Sequence, residues 1–168
     1  MTRTLQTLVG MVGVLVVSAL AVGTADLTKA LDQAEGRRRA AENGLKEIKG
    51  KGQPSEEVRK AYVEAATRQN AWLEAVCLSL DQGASAPPDV TAVTEAAAVA
   101  LVDWVQLRNP AVGLPVLNDQ AAASTKKTVI QTLNEIASES SKARDPKRRA
   151  DTVSMLKQRL HWKAYDEI

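Results

Sequence analysis

Few residues in this chain could act on a substrate: one histidine (His161), one cysteine (Cys77), and two serine-lysine pairs at i, i+3 spacing, Ser124 with Lys127 and Ser154 with Lys157. A Ser-x-x-Lys spacing sets an amine beside a hydroxyl on a helix, which is how some serine acyl-transferring enzymes activate their nucleophile. Here the spacing stands alone. The companion triplets of that machinery and the sheet that carries them have no counterpart in the sequence, and Ser154 falls within an apolar helical repeat. Both serines are therefore expected on helices as structural residues.

Metal and cofactor chemistry are equally poorly supplied. A single histidine and a single cysteine leave only carboxylates as metal ligands, and no clustered ligand set is visible. There is no Cys-x-x-Cys-His haem attachment, no glycine-rich phosphate cradle and no Ser-His-Asp signature. The expectation is a non-enzymatic protein with no catalytic residue, no metal site and no cofactor. Cys77 lies among Leu73, Val76 and Leu80 at helical spacing, which predicts a buried small hydrophobe. His161 and Trp162 follow a basic helix, where a solvated imidazole and a packing indole are expected.

Charge is distributed unevenly. Residues 120–168 hold ten Lys and Arg against six Asp and Glu, whereas residues 83–119 hold one against four. Lys142, Arg144, Lys147, Arg148 and Arg149 form the densest basic patch. Such a run suits anionic lipid, an acidic protein surface or a solvated helix face. Nucleic acid is not expected as a partner, because basic and aromatic residues do not interleave and no recognition module is present.

These residues must be held by helices. Leu27, Leu31, Ala34, Arg38, Ala41, Leu45 and Ile48 recur at alternating spacings of four and three, a heptad stripe with one charged member. Leu27, Leu31, Arg38, Leu45 and Ile48 are the expected interaction residues, packing on the chain's own bundle or, slightly favoured, on a partner helix or a second copy. Gly50 to Pro54 ends this helix. Ser55 with Glu56 and Glu57 then caps a second one carrying Val58, Tyr62, Ala65, Trp72, Leu73, Val76 and Leu80 to Asp81.

Gly83 to Pro88 breaks the pattern, and Asp89 is expected to cap a third helix through Val90, Val93, Ala97, Leu101, Trp104 and Val105, stopping before Pro110. Pro110 to Asn118 reads as an ordered loop pressed on the bundle or an exposed binding loop. A fourth helix, from about Asp119 to Lys142, buries Val129, Ile130, Leu133, Ile136 and Ala137. Asp145-Pro146 starts a fifth with Ala150, Val153, Leu156 and Leu160 on its inner side. The predicted fold is all-α: an N-terminal membrane-targeting helix followed by an Ala-rich antiparallel bundle of about four to five helices. The absence of Phe favours close helix approach.

Leu5 to Ala25 carries no charge and follows only Arg3 and the amino terminus. As a helix these residues would cover about 30 Å, enough to span a bilayer. Ala19-Leu20-Ala21 and Gly23-Thr24-Ala25 also offer small-residue cleavage sites. Residues 1–25 are thus expected to be a signal peptide or a transmembrane anchor, residues 26–50 a membrane-proximal heptad helix, and residues 55–168 the bundle domain. The domain is expected to be membrane-anchored or exported, to the periplasm or the extracellular space. Lys29, Arg37, Arg38 and Arg39 beyond the segment support the less favoured orientation, an anchor facing the cytoplasm. The functional expectation is a protein that mediates protein-protein interaction or assembly. The alternative is a bundle that binds a small molecule or lipid, with Trp72, Trp104 and the Pro110 to Asn118 loop lining an apolar pocket.

Overall fold

The structure is a computed structural model that describes residues 22–83 and 89–168. It contains five α-helices: α1 (Val22–Lys51), α2 (Glu56–Asp81), α3 (Thr91–Ala111), α4 (Asp119–Ser140) and α5 (Pro146–Leu160), followed by a 3-10 turn at Tyr165–Glu167. No strand occurs among the described residues. The targeting segment expected over residues 5–25 lies outside them, apart from the backbone of Val22 to Ala25 that opens α1. Among the described residues no helix is long and apolar enough to cross a membrane.

Helices α2, α4 and α5 start where side-chain chemistry satisfies free backbone N–H groups. Ser55 Oγ accepts from Val58 N (3.3 Å), Asn118 Oδ1 from Ala121 N (2.8 Å), and Asp145 Oδ1 from Arg148 N (2.9 Å), with Pro146 in the first turn of α5. Asp89 Oδ1 accepts from Thr91 N (3.3 Å), but the cap position of α3 is Val90.

α3 does not stop before Pro110. It runs through the proline to Ala111 and closes with Gly113 at φ +80°. Leu114 N donates to Asn109 O (2.8 Å) and Gly113 N to Pro110 O (3.2 Å), the paired bonds of a Schellman termination. A proline in the last turn removes a single intrahelical bond, so the glycine rather than the proline sets the end.

The core is one continuous apolar cluster shared by all five helices. Trp72, Trp104 and Tyr62 are its largest fully buried side chains, and Tyr62 meets Trp104 edge to face with ring centroids 5.2 Å apart. Every apolar residue expected to face inward on α2 is buried, and so is Cys77. On α4, Val129, Leu133, Ile136 and Ala137 are buried and Ile130 is half-buried. Ala150 departs from expectation: it is exposed on α5, while Val153, Leu156 and Leu160 form the inner face.

The heptad helix belongs to this body and is not a separate arm. α1 packs against α4, α5 and α3. Gly44 is buried where Arg108 of α3 crosses it, and a Cβ there would lie 2.6 Å from Arg108 Cδ. A residue that weakens an isolated helix thus permits the α1–α3 approach.

Candidate interaction surface

The five expected interaction residues of α1 are occupied by the protein's own helices. Leu31, Leu45 and Ile48 are buried, and Leu27 packs half-buried on the same cluster. Arg38 reaches α5. Its Nε donates to Arg159 O (2.8 Å), and its Nη1 lies 2.9 Å from each carboxylate oxygen of Glu42. The apolar surface that a pairing between chains through the stripe would bury is thus already out of water within one chain.

Around Arg38 the helices are joined by charge. Arg159 Nη2 donates to Asp32 (2.6 Å) and Arg159 Nε to Glu35 (2.6 Å), while Arg39 also bonds Glu35. The Arg159 guanidinium beside Glu35 holds that carboxyl below the usual carboxylate range, and the same bonds, led by Asp32, push Arg159 upward. Arg37 donates to Thr132 Oγ1 (3.1 Å) on α4, and burial lowers its guanidinium's proton affinity.

The C-terminal tail, which the sequence reading left unassigned, is bound across α1 and α2. Asn70 Oδ1 accepts from Trp162 N (2.9 Å), and Asn70 Nδ2 donates to Trp162 O (3.1 Å). Tyr62 Oη donates to Lys163 O (2.9 Å), Glu42 Oε1 accepts from Lys163 N (3.2 Å), and Lys49 Nζ donates to Tyr165 O (3.1 Å). Trp162 is buried, whereas His161 is exposed and its backbone N–H closes α5 on Lys157 O. The available signal was polar Gln69 and Asn70 interrupting the apolar repeat of α2 between Ala66 and Leu73. Gln69 Nε2 donates to Ala97 O (3.1 Å) on α3.

The chemical candidates stay dispersed. Ser124, Lys127, Ser154 and Lys157 are exposed or partly so on outer helix faces, away from the core. Among the described residues no group of three or more His, Cys, Asp or Glu side chains comes together to hold a metal. Burial raises the Cys77 thiol's pKa, which leaves it a poor nucleophile.

Trp72 and Trp104 are 1% exposed, and neither lines the open grooves beside α2. Those grooves are floored by Ala61, Ala96 and Ala100 and edged by Glu57, Glu64 and Asp103, or lie against the C-terminal tail. Among the described residues, Trp72 and Trp104 thus pack in the core rather than along these open grooves.

That loop combines both expected characters. Its backbone is fixed to α3: Asn109 Nδ2 donates to Pro115 O (3.0 Å), Gln106 Nε2 donates to Leu117 O (3.1 Å), and Gln106 Oε1 accepts from Leu117 N (2.9 Å). Its apolar side chains nevertheless face water, with Leu114 48% and Val116 59% exposed. An ordered loop that leaves two aliphatic side chains in solvent has the build of a contact surface. No family model matches the chain, and no curated protein or solved structure is significantly similar to it.

Proposed function

We propose that this protein is a non-enzymatic helical bundle, tethered to a membrane or exported by residues 5–25, that presents the α3–α4 loop to a protein partner. The observation that supports this reading is the contrast within that loop: a backbone bound at Pro115 and Leu117 by Asn109 and Gln106, and Leu114 and Val116 left in water. A preformed loop loses little conformational entropy on binding, and its exposed aliphatic groups gain from leaving water.

Two measurements test it. Fractionation with intact-mass determination tests the tether: full-length protein confined to the soluble cytoplasm would remove it, while a mass loss ending at Ala21 or Ala25 would make the segment a signal peptide. A photo-crosslinking residue at Val116 in the native cell tests the loop. A discrete adduct lost in Leu114→Ser is expected, and the absence of any adduct would overturn the loop's role.

A further inference from the structure

The fold brings the basic patch to the same end of the bundle as the start of α1, although more than a hundred residues separate them in sequence. α5 runs parallel to α1. Arg159 meets Asp32, Glu35 and Arg38, and in the tail that continues α5 Lys163 meets Glu42 and Tyr165 meets Lys49, so the two segments advance together. Against α2 the order reverses: Lys163 lies at Tyr62, Trp162 at Asn70, and Arg149 beside Gly83 at the helix's C-terminal end. Pro146 is thirteen residues before Arg159, or about 20 Å back along α5. That places the turn between α4 and α5 level with the N-terminal end of α1, where residues 1–21 join it.

Within this corner Lys142 pairs with Glu139 (2.6 Å) and Arg148 with Asp145 (3.3 Å). Arg144, Lys147 and Arg149 have no carboxylate within 4.0 Å among the described residues, and Arg144 and Lys147 are exposed. Asp26 on α1, Asp81 on α2 and Asp89 just before α3 stand at the same end, so the α4–α5 corner is its basic sector. We infer that this corner is the face the bundle lays on an anionic lipid surface, with Arg144, Lys147 and Arg149 meeting the headgroups while residues 5–21 enter the bilayer beside it. The inference rests on the membrane tether proposed above. It also orients the molecule, because the loop bearing Leu114 and Val116 follows the C-terminal end of α3 and so lies at the opposite, membrane-distal end. A covalent tether holds the corner near lipid, so modest attractions per cation suffice to fix its orientation.

The full chain, mixed with vesicles of phosphatidylcholine alone or of phosphatidylcholine with phosphatidylglycerol, provides the test. A fluorophore on Ala150→Cys reports the basic corner and one on Val116→Cys the distal loop, with buried Cys77 changed to Ala in both. Nitroxide-bearing lipid is expected to quench the label at residue 150 in anionic vesicles only, and the label at 116 in neither. The triple variant Arg144→Gln, Lys147→Gln, Arg149→Gln should lower the equilibrium constant for the lipid-facing orientation roughly a hundred-fold at low salt, and high salt should act in the same direction. Flotation with neutral vesicles but equal quenching at residue 150 in both lipids would overturn the inference while the tether stands. Flotation only with anionic vesicles, abolished by the triple variant, would support the corner and remove the tether. Flotation with neither would remove both.

Discussion

Arg38 Nε donates to the backbone carbonyl of Arg159, 2.8 Å away across 121 residues of sequence. The bond satisfies a carbonyl in the last turn of α5, where intrahelical donors run out, with a guanidinium that is itself held by Glu42. A charged residue in an apolar stripe thereby becomes the clasp between the first and last helices.

Replacing Arg38 with Met should keep the stem's packing but leave the Arg159 carbonyl unpaired and Glu42 with only the Lys163 N–H as donor. A loss of about 2 kcal/mol is expected, read as a lower urea midpoint at unchanged slope. Arg38→Lys should recover only part of it, because one ammonium cannot reproduce the guanidinium's fork. An unchanged midpoint for Arg38→Met would show that the clasp contributes nothing net.

Leu31 is 2% exposed against the bundle. Leu31→Ala should cost about 2–5 kcal/mol and lower the melting temperature without changing the sedimentation coefficient. Leu31→Asp should be worse, because a carboxylate would be buried without a partner. A shift in oligomeric state with no loss of stability would instead mean that the stripe pairs between chains.

Acid should loosen the α1–α5 contact. Glu35 has a folded pKa depressed by its bond to Arg159 and further by Arg39. A depressed carboxylate adds stability that is present above its ordinary value of 4.5 and is lost as pH falls through the lower folded value. Arg159→Gln should therefore cost about 1 kcal/mol at neutral pH and flatten the decline of stability below pH 4.5. An identical acid limb in the variant would count against the assignment.

Alkali acts on Tyr62. Burial pushes its phenol well above the ordinary 10.0, with a smaller contribution from the Glu42 charge, while its hydroxyl donates to Lys163 O. With the folded pKa raised, stability is intact below pH 10 and falls as pH rises above it, because only the unfolded phenol ionises there. Tyr62→Phe should lose about 1 kcal/mol at neutral pH but show a shallower decline above pH 10. The same slope in both proteins would refute this.

Untying the α3–α4 loop should affect binding more than folding. Leu114→Ser with Val116→Ser is expected to change stability by no more than about 0.5 kcal/mol, since both side chains already face water. Asn109→Ala removes the bond to Pro115 O and should raise amide exchange in the loop while the core of α2 stays protected. Faster exchange throughout the bundle would make Asn109 a core residue rather than a loop tie.

The sequence by itself determined the helices, because their signals are local. A 3.6-residue apolar period, the capping side chains of Ser55, Asn118 and Asp145, and the breaks near Gly52 and Gly83 act within a turn or two of chain. Where local signals competed, the sequence misled: Pro110 looked like a stop, yet the Schellman bonds around Gly113 decided the end of α3. Tertiary structure alone decided what the stripe of α1 packs against, because periodicity reports that a face is buried but not what covers it. It also decided that Arg38 would find a carbonyl on α5, that Asn70 and Tyr62 would hold the tail, and that the basic patch would share an end with the start of α1. Each of these depends on partners about ninety residues or more away in the chain, whose meeting is set by the order and direction of packed helices and leaves no local trace in the sequence.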